Sequence, residues 1–179
     1  MNKQVQIAVF GGGCFWCTEA AFNQLKGVMN VTSGYAGGTV YNPTYEQVCS
    51  GQTNHAEVIK IEYDPEIISY KDLLSIFFSI HDPTTLNRQG NDIGTQYRSI
   101  IFYANEEQKE EARQFIAKLE KDKIFTNQIV TEIKPLRDFY QAEENHAKYY
   151  EKNKYKPYCL LNINPKLKKI RTTYKNLLK

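Results

Sequence analysis

The sequence predicts an α+β fold of the ferredoxin-like (split βαβ) type, a two-layer α/β sandwich with additional helices and long loops. Two observations carry this. Strand-like and helix-like stretches alternate as β-α-β-β-α-β, followed by a further helix and strand. The second and third strands have no helix between them, which argues against a doubly wound parallel sheet. No repeat, low-complexity tract or Pro/Ser-rich linker interrupts the chain, so residues 1–179 read as a single domain.

The elements follow in order. Val5 to Phe10 is a β-rich run that ends in Gly11-Gly12-Gly13, and a helical pattern extends from Cys14 to Leu25. Val28 to Tyr35 reads as the second strand, stopped by Gly37-Gly38. Glu57 to Tyr63 alternates apolar and polar residues and closes on Asp64-Pro65, giving the third. Ser69 is placed to cap a helix in which Leu73, Leu74, Phe77 and Phe78 share a face. Arg98 to Tyr103 is the fourth strand. Asn105 and Gln108 have the spacing of a capping box before a helix striped by Ala112, Phe115, Ile116 and Leu119. Gln128 to Lys134 is expected as a fifth strand, and Ala142 to Lys152 as a short polar helix.

Composition excludes several classes of function. With 41% hydrophobic and 24% charged residues, the chain is neither disordered nor membrane-embedded. Its longest apolar stretch, Leu73 to Ile80, is far short of the ~20 residues that span a bilayer. The N-terminal segment has no apolar signal core, so a cytoplasmic protein is expected. A net charge of +3 is too mild to argue for nucleic acid. The basic run from Lys166 to Lys179 reads as a solvated final helix with cations near its C-terminal dipole. Tyrosine is abundant, with thirteen residues. Its apolar body and polar tip suit a pocket that holds both a methyl group and an oxygen.

Ala36 to Ala56 and His81 to Tyr97 lack clear regular structure, and loops of ~15 residues in a compact domain are commonly functional. Cys14 follows a strand and three glycines at the expected first turn of a helix. Free N–H groups and the positive helix end favour a thiolate there, and the glycines are expected to clear a path to the sulfur. Cys17 completes Cys14-Phe15-Trp16-Cys17, a spacing compatible with a redox dithiol or half of a zinc site. The remaining Cys49, Cys159, His55, His81 and His146 are scattered singly, which makes structural zinc a minor reading. Cys49 is expected to be buried, and His55 and His81 to organise loops.

Gly12-Gly13-Cys14-Phe15-Trp16 resembles the active-site signature of peptide methionine sulfoxide reductases of the A class. The resemblance continues through Gly34-Tyr35-Ala36-Gly37-Gly38, Asn42-Pro43-Thr44-Tyr45, His55-Ala56-Glu57, Gln89-Gly90-Asn91-Asp92 and Gly94-Thr95-Gln96-Tyr97-Arg98-Ser99, in family order. It implies a thiol-dependent reduction of the S epimer of methionine sulfoxide, free or in proteins, and hence a role in protein repair. Cys14 is then the nucleophile and Glu57 the acid that protonates the sulfoxide oxygen. Tyr45 and Tyr97 carry over as hydroxyl donors to the same oxygen, and Asp92 as a carboxylate acting through water. Phe15 and Trp16 form the apolar wall for the methyl group, with His146 and Tyr149 beside the pocket. A sulfenic acid on Cys14 is resolved by a second thiol. Cys159, which follows a tyrosine near the C-terminus, is favoured over Cys17, and a relay through both is open. A strand around Leu160-Leu161-Asn162-Ile163 would restrain Cys159. The resemblance further implies thioredoxin or a similar dithiol as reductant; no flavin, nicotinamide or metal motif is present, and a monomer is expected.

Overall fold

The computed structural model of the chain describes residues 4–179. The stretch read above for a signal segment therefore begins outside the described residues. In chain order the elements are β1 (Gln6–Gly11), α1 (Phe15–Phe22), β2 (Val28–Ala36), α2 (Tyr45–Cys49), β3 (Ala56–Tyr63) and α3 (Tyr70–Ile80). They continue with β4 (Arg88–Gln89), β5 (Asp92–Ile93), β6 (Ile100–Tyr103), α4 (Glu106–Lys121), β7 (Glu132–Pro135) and β8 (Phe139–Gln141). The chain closes with α5 (Tyr149–Lys152) and α6 (Asn164–Thr173).

The main sheet has the order β7-β6-β1-β3-β2-β8. Its inner four strands, β6-β1-β3-β2, pair antiparallel throughout and form the expected split βαβ arrangement. At one edge β7 adds in parallel to β6, and at the other β8 adds antiparallel to β2. Strand alternation divides the core. Ala8, Phe10, Ile59 and Ile61 face the helices, whereas Val9, Val58, Ile100 and Phe102 pack on the opposite face against Leu136 and Phe139.

Local chemistry accounts for the helix starts. Ser69 and Asp72 form a reciprocal capping box on α3, which then buries Leu73, Leu74 and Phe77. Asn105 caps α4 by accepting from Gln108 N–H at 2.9 Å, but the box is only half formed. The Gln108 carboxamide instead accepts from Ala104 N–H at 2.9 Å and donates to the carbonyl of Ile7 at 2.7 Å. This ties α4 to the first strand.

Several boundaries differ from expectation. The first helix stops at Phe22 rather than Leu25. The fourth strand begins at Ile100, because Arg98 N–H closes a turn onto the Thr95 carbonyl. The fifth is confined to Glu132–Pro135, since Val130 N–H bonds to the Pro83 carbonyl instead of a strand. The polar helix expected over Ala142 to Lys152 is broken by Lys148, whose φ is 52°. Around Cys159 there is no strand; Cys159–Ile163 form a π-helical turn that runs directly into α6. The final helix is basic but not merely solvated, for Leu167 and Ile170 are buried beneath it.

Candidate active site

The bend from β1 to α1 places Cys14 at the N-cap of α1. Gly13 takes φ +93°, a conformation suited to glycine, and an added Cβ would lie 2.7 Å from the Gln89 side chain. At Gly12 the corresponding space is filled by Phe77 and His81. The glycines thus admit neighbouring side chains rather than clearing a path to the sulfur, and Cys14 is only 7% exposed. His81 is held between the Phe77 carbonyl (2.6 Å) and Ser99 Oγ (2.8 Å), with burial pushing its pKa down to about 4. His55 accepts from Gly38 N–H at 3.0 Å and contacts the Val40 carbonyl at 2.8 Å. Both act as loop organisers.

Glu57, on β3, is 1% exposed, and its Oε2 accepts a hydrogen bond from Phe15 N–H at 3.0 Å. The first free N–H of α1 is therefore engaged by a carboxyl from 42 residues away rather than left for the sulfur. Burial pushes the Glu57 carboxyl up to about 8, against the Phe15 hydrogen bond and with help from the Asp92 charge. Glu57 thus holds its proton at neutral pH. Cys14 is not kept ionised as the sequence suggested. Burial, then the hydrogen bond with Cys17 and the charge of Glu57, raise it well above an ordinary thiol.

Cys17 lies on α1 beside Cys14 and accepts that hydrogen bond. It is lowered to about 7, chiefly by the Cys14 contact, with further help from Lys166 and Tyr158. Of the two sulfurs Cys17 is therefore the more readily ionised, and Cys14 the one that holds its proton more firmly. Cys159 is fully buried and pushed up first by burial and then by the charge of Cys17. Of the other sulfurs, Cys17 is the one whose charge reaches it.

Tyr45, at the start of α2, and Tyr97, at the end of a 3-10 turn, both lie within the field of Glu57. Burial raises both phenols, so each remains a hydroxyl donor. Asp92, on the short β4–β5 ribbon, accepts from Tyr158 Oη at 2.7 Å. The same hydroxyl lies 3.9 Å from Cys17 Sγ. Tyr158 is a site residue that the sequence pattern did not single out.

Phe15 is buried, and Trp16 forms a half-buried wall. The Trp16 indole N–H donates to His146 Nδ1 at 3.1 Å, which leaves the imidazole proton on Nε2 facing Glu143 at 3.7 Å. Tyr149 stacks flat on Trp16, with centroids 3.6 Å apart at 6°. These rings border a cavity of about 480 Å³ that Tyr45 and Glu143 also line. Glu143 joins the two sides by accepting from Tyr35 Oη (3.3 Å) and Tyr45 N–H (3.2 Å). The Thr44–Gln47 capping box of α2, visible as a spacing in the sequence, was the available signal for order in that loop. Cys49, expected buried, is exposed, because it falls on the outer side of this short helix beside Tyr45.

Among the described residues no group of three or more His, Cys, Asp or Glu is arranged to hold a metal ion. Among the described residues no helix is long and apolar enough to cross a membrane.

The family model for peptide methionine sulfoxide reductase matches residues 6–178. A peptide methionine sulfoxide reductase MsrA of Saccharolobus solfataricus is 58% identical over 165 residues, 92% of each chain. Its counterpart in Acinetobacter baumannii is 56% identical over 175 residues, covering 98% of this chain and 99% of that one. The fold is similar to reduced Mxr1 from Saccharomyces cerevisiae, with a TM-score of 0.81 and 34% identity over 89% of this chain and 91% of that one. Mxr1 has also been crystallised in complex with Trx2.

Proposed function

The chain belongs to the peptide methionine sulfoxide reductase family, and on that premise we propose that Cys14 and Glu57 form the reacting pair of its thiol-dependent reduction of methionine S-sulfoxide. The observation that carries this is the buried, protonated Glu57 carboxyl fixed to the amide next to Cys14. A proton given to the sulfoxide oxygen makes the substrate sulfur more electrophilic and makes oxygen a better leaving group. Tyr45 and Tyr97 supply further donors to that oxygen. Burial keeps Glu57 protonated, and Asp92, braced by Tyr158, adds to this through its charge.

Phe15 and Trp16 receive the substrate methyl, with His146 and Tyr149 fixing the indole. Burying one methyl contributes only ~0.8 kcal/mol, so this slot orients substrate more than it captures it. Cys14 passes its proton to the Cys17 thiolate as its sulfur attacks. The Cys14 sulfur bonds to the substrate sulfur; the oxygen protonated by Glu57 then passes as hydroxyl from that sulfur to Cys14 as the new S–S bond breaks, so methionine departs and Cys14 is left as a sulfenic acid.

The second half of the cycle closes through Cys17 first, because it lies one turn from Cys14, interacts with that thiol and is the more readily ionised. Cys17 forms the S–S bond, the sulfenic S–O bond breaks, and the departing hydroxide is protonated to water. Cys159, within reach of the Cys17 charge, then exchanges into that disulfide, which makes the thiols a relay rather than a choice between Cys17 and Cys159. An external dithiol of the thioredoxin type reduces the final bond, in keeping with the Mxr1–Trx2 complex. We assign the chain to the cytoplasm and read it as a monomer. An epimer-resolved turnover assay with dithiothreitol tests the core of this reading. Turnover of the S epimer should vanish in Cys14→Ser, and persistence of activity in that variant would overturn the mechanism.

A further inference from the structure

Glu19 is a buried carboxylate that neither the sulfur chemistry nor the proton donation uses. It lies on α1, one turn beyond Trp16, and is 3% exposed. Its Oε1 accepts a hydrogen bond from Lys148 N–H at 3.1 Å, and the neighbouring Tyr149 amide also favours its ionised form. These amides open α5, which has no side-chain cap of its own. Lys148 is left-handed, at φ 52° and ψ 37°, which is uncommon for a residue with a side chain and persists where its surroundings hold it. Directly after this turn comes Tyr149, lying flat on Trp16. One helix therefore presents both the ring that Tyr149 covers and the carboxylate that fixes its backbone.

We propose that Glu19 is a positioning residue for the methyl-receiving slot, clamping the Lys148–Tyr149 turn so that Tyr149 backs the Trp16 indole. It sets how well the methyl sulfoxide is received and takes no part in the sulfur chemistry. The proposal rests on the reading of Phe15 and Trp16 as the slot wall. Alanine at position 19 leaves the part-buried Lys148 amide without its acceptor and releases Tyr149, whereas glutamine retains an acceptor oxygen of the same reach.

The test uses the full chain, with dithiothreitol as reductant, in the variants Glu19→Ala and Glu19→Gln. Steady-state kinetics on methionine sulfoxide are measured together with the rate of Cys14 alkylation by iodoacetamide. Fluorescence of Trp16, the sole tryptophan, reports the slot directly. In Glu19→Ala, KM should rise about tenfold with kcat within about twofold, a loss of about 1.4 kcal/mol in binding. Trp16 emission should shift to the red while Cys14 alkylation is unchanged, and Glu19→Gln should restore KM and emission. Unchanged KM and emission in Glu19→Ala would overturn the proposal, as would a fall in kcat and Cys14 alkylation with KM held. Should Glu19→Ala not fold, Tyr149→Ala must raise KM and shift the emission with Glu19 intact, and its failure to do so overturns the clamp. If turnover survives in Cys14→Ser while Glu19→Ala still shifts Trp16, the chemistry is wrong and the clamp stands.

Discussion

Glu57 Oε2 lies 3.0 Å from the amide nitrogen of Phe15, so the proposed acid and the turn that bears the proposed nucleophile are joined by one hydrogen bond. Through that contact the sheet, which supplies Glu57, sets the distance to α1, which supplies Cys14. The bond favours the carboxylate, yet burial outweighs it and leaves the group with its proton near neutrality.

Glu57→Gln cannot protonate the oxygen, and its turnover should fall about 10²-fold or more, while wild-type activity should decline above pH 8. The same substitution should raise relative stability where it lowers activity. Between pH 4.5 and 8 the unfolded chain releases this proton and the folded chain keeps it, so wild-type stability falls as pH rises through that window. Thermal unfolding should show Glu57→Gln gaining on the wild type from pH 5 to pH 8. A constant difference in Tm would refute the assignment of a buried, protonated Glu57.

Mass spectrometry after one turnover without reductant should find Cys14–Cys17 as the first disulfide and a bond to Cys159 later. In Cys17→Ser the sulfenic acid on Cys14 should persist long enough to be trapped by dimedone. Formation of Cys14–Cys159 at the wild-type rate in Cys17→Ser would remove Cys17 from the relay.

Tyr158→Phe loses a hydroxyl that braces Asp92 and contacts Cys17. Loss of a hydrogen bond to a charged group costs about 1.5–3 kcal/mol, so disulfide formation should slow about tenfold or more. Rapid-quench measurement of free thiols checks this. Equal rates in the two proteins would reduce Tyr158 to a packing residue.

Gly13→Ala adds a Cβ at φ +93° and within 2.8 Å of the Gln89 side chain. The strained backbone alone costs about 1–3 kcal/mol. Denaturant unfolding should show that loss, and shortening the neighbour in Gly13→Ala/Gln89→Ala should recover only part of it. Complete recovery would place the whole cost in the clash.

What the sequence made legible was local. The α3 capping box needs only Ser69 and Asp72, three positions apart, and its buried stripe repeats within the same helix. The order of the inner strands followed from the same local reading, because a hairpin and two crossovers leave few arrangements. The segment Ala142 to Lys152 was misread because the left-handed turn at Lys148 is held by Glu19, 129 residues earlier. Tyr158 escaped notice for a similar reason, since its partners Cys17 and Asp92 lie 141 and 66 positions away. The ionisation of Cys14 was inferred from a free helix end. A distant carboxyl occupies that end, and no spacing rule records it.

Family blocks identified Glu57, Tyr45, Tyr97 and Asp92 as a set, and the fold brings their charges and hydroxyls into one field. Cys17 was visible in the sequence as the second half of a C-x-x-C pair, but its place ahead of Cys159 rests on the hydrogen bond with Cys14 and the lowered thiol, which no spacing rule records.

The π-helical turn at Cys159–Ile163 has a genetic corollary. Such a turn holds one residue more than the regular repeat. Deleting a single codon within it would restore ordinary winding and swing the sulfur by about 100° around the axis. Whether this thiol belongs to the interior or to the solvent thus depends on chain length in one turn, so short insertions and deletions there can retire or recruit a redox partner without touching the catalytic bend.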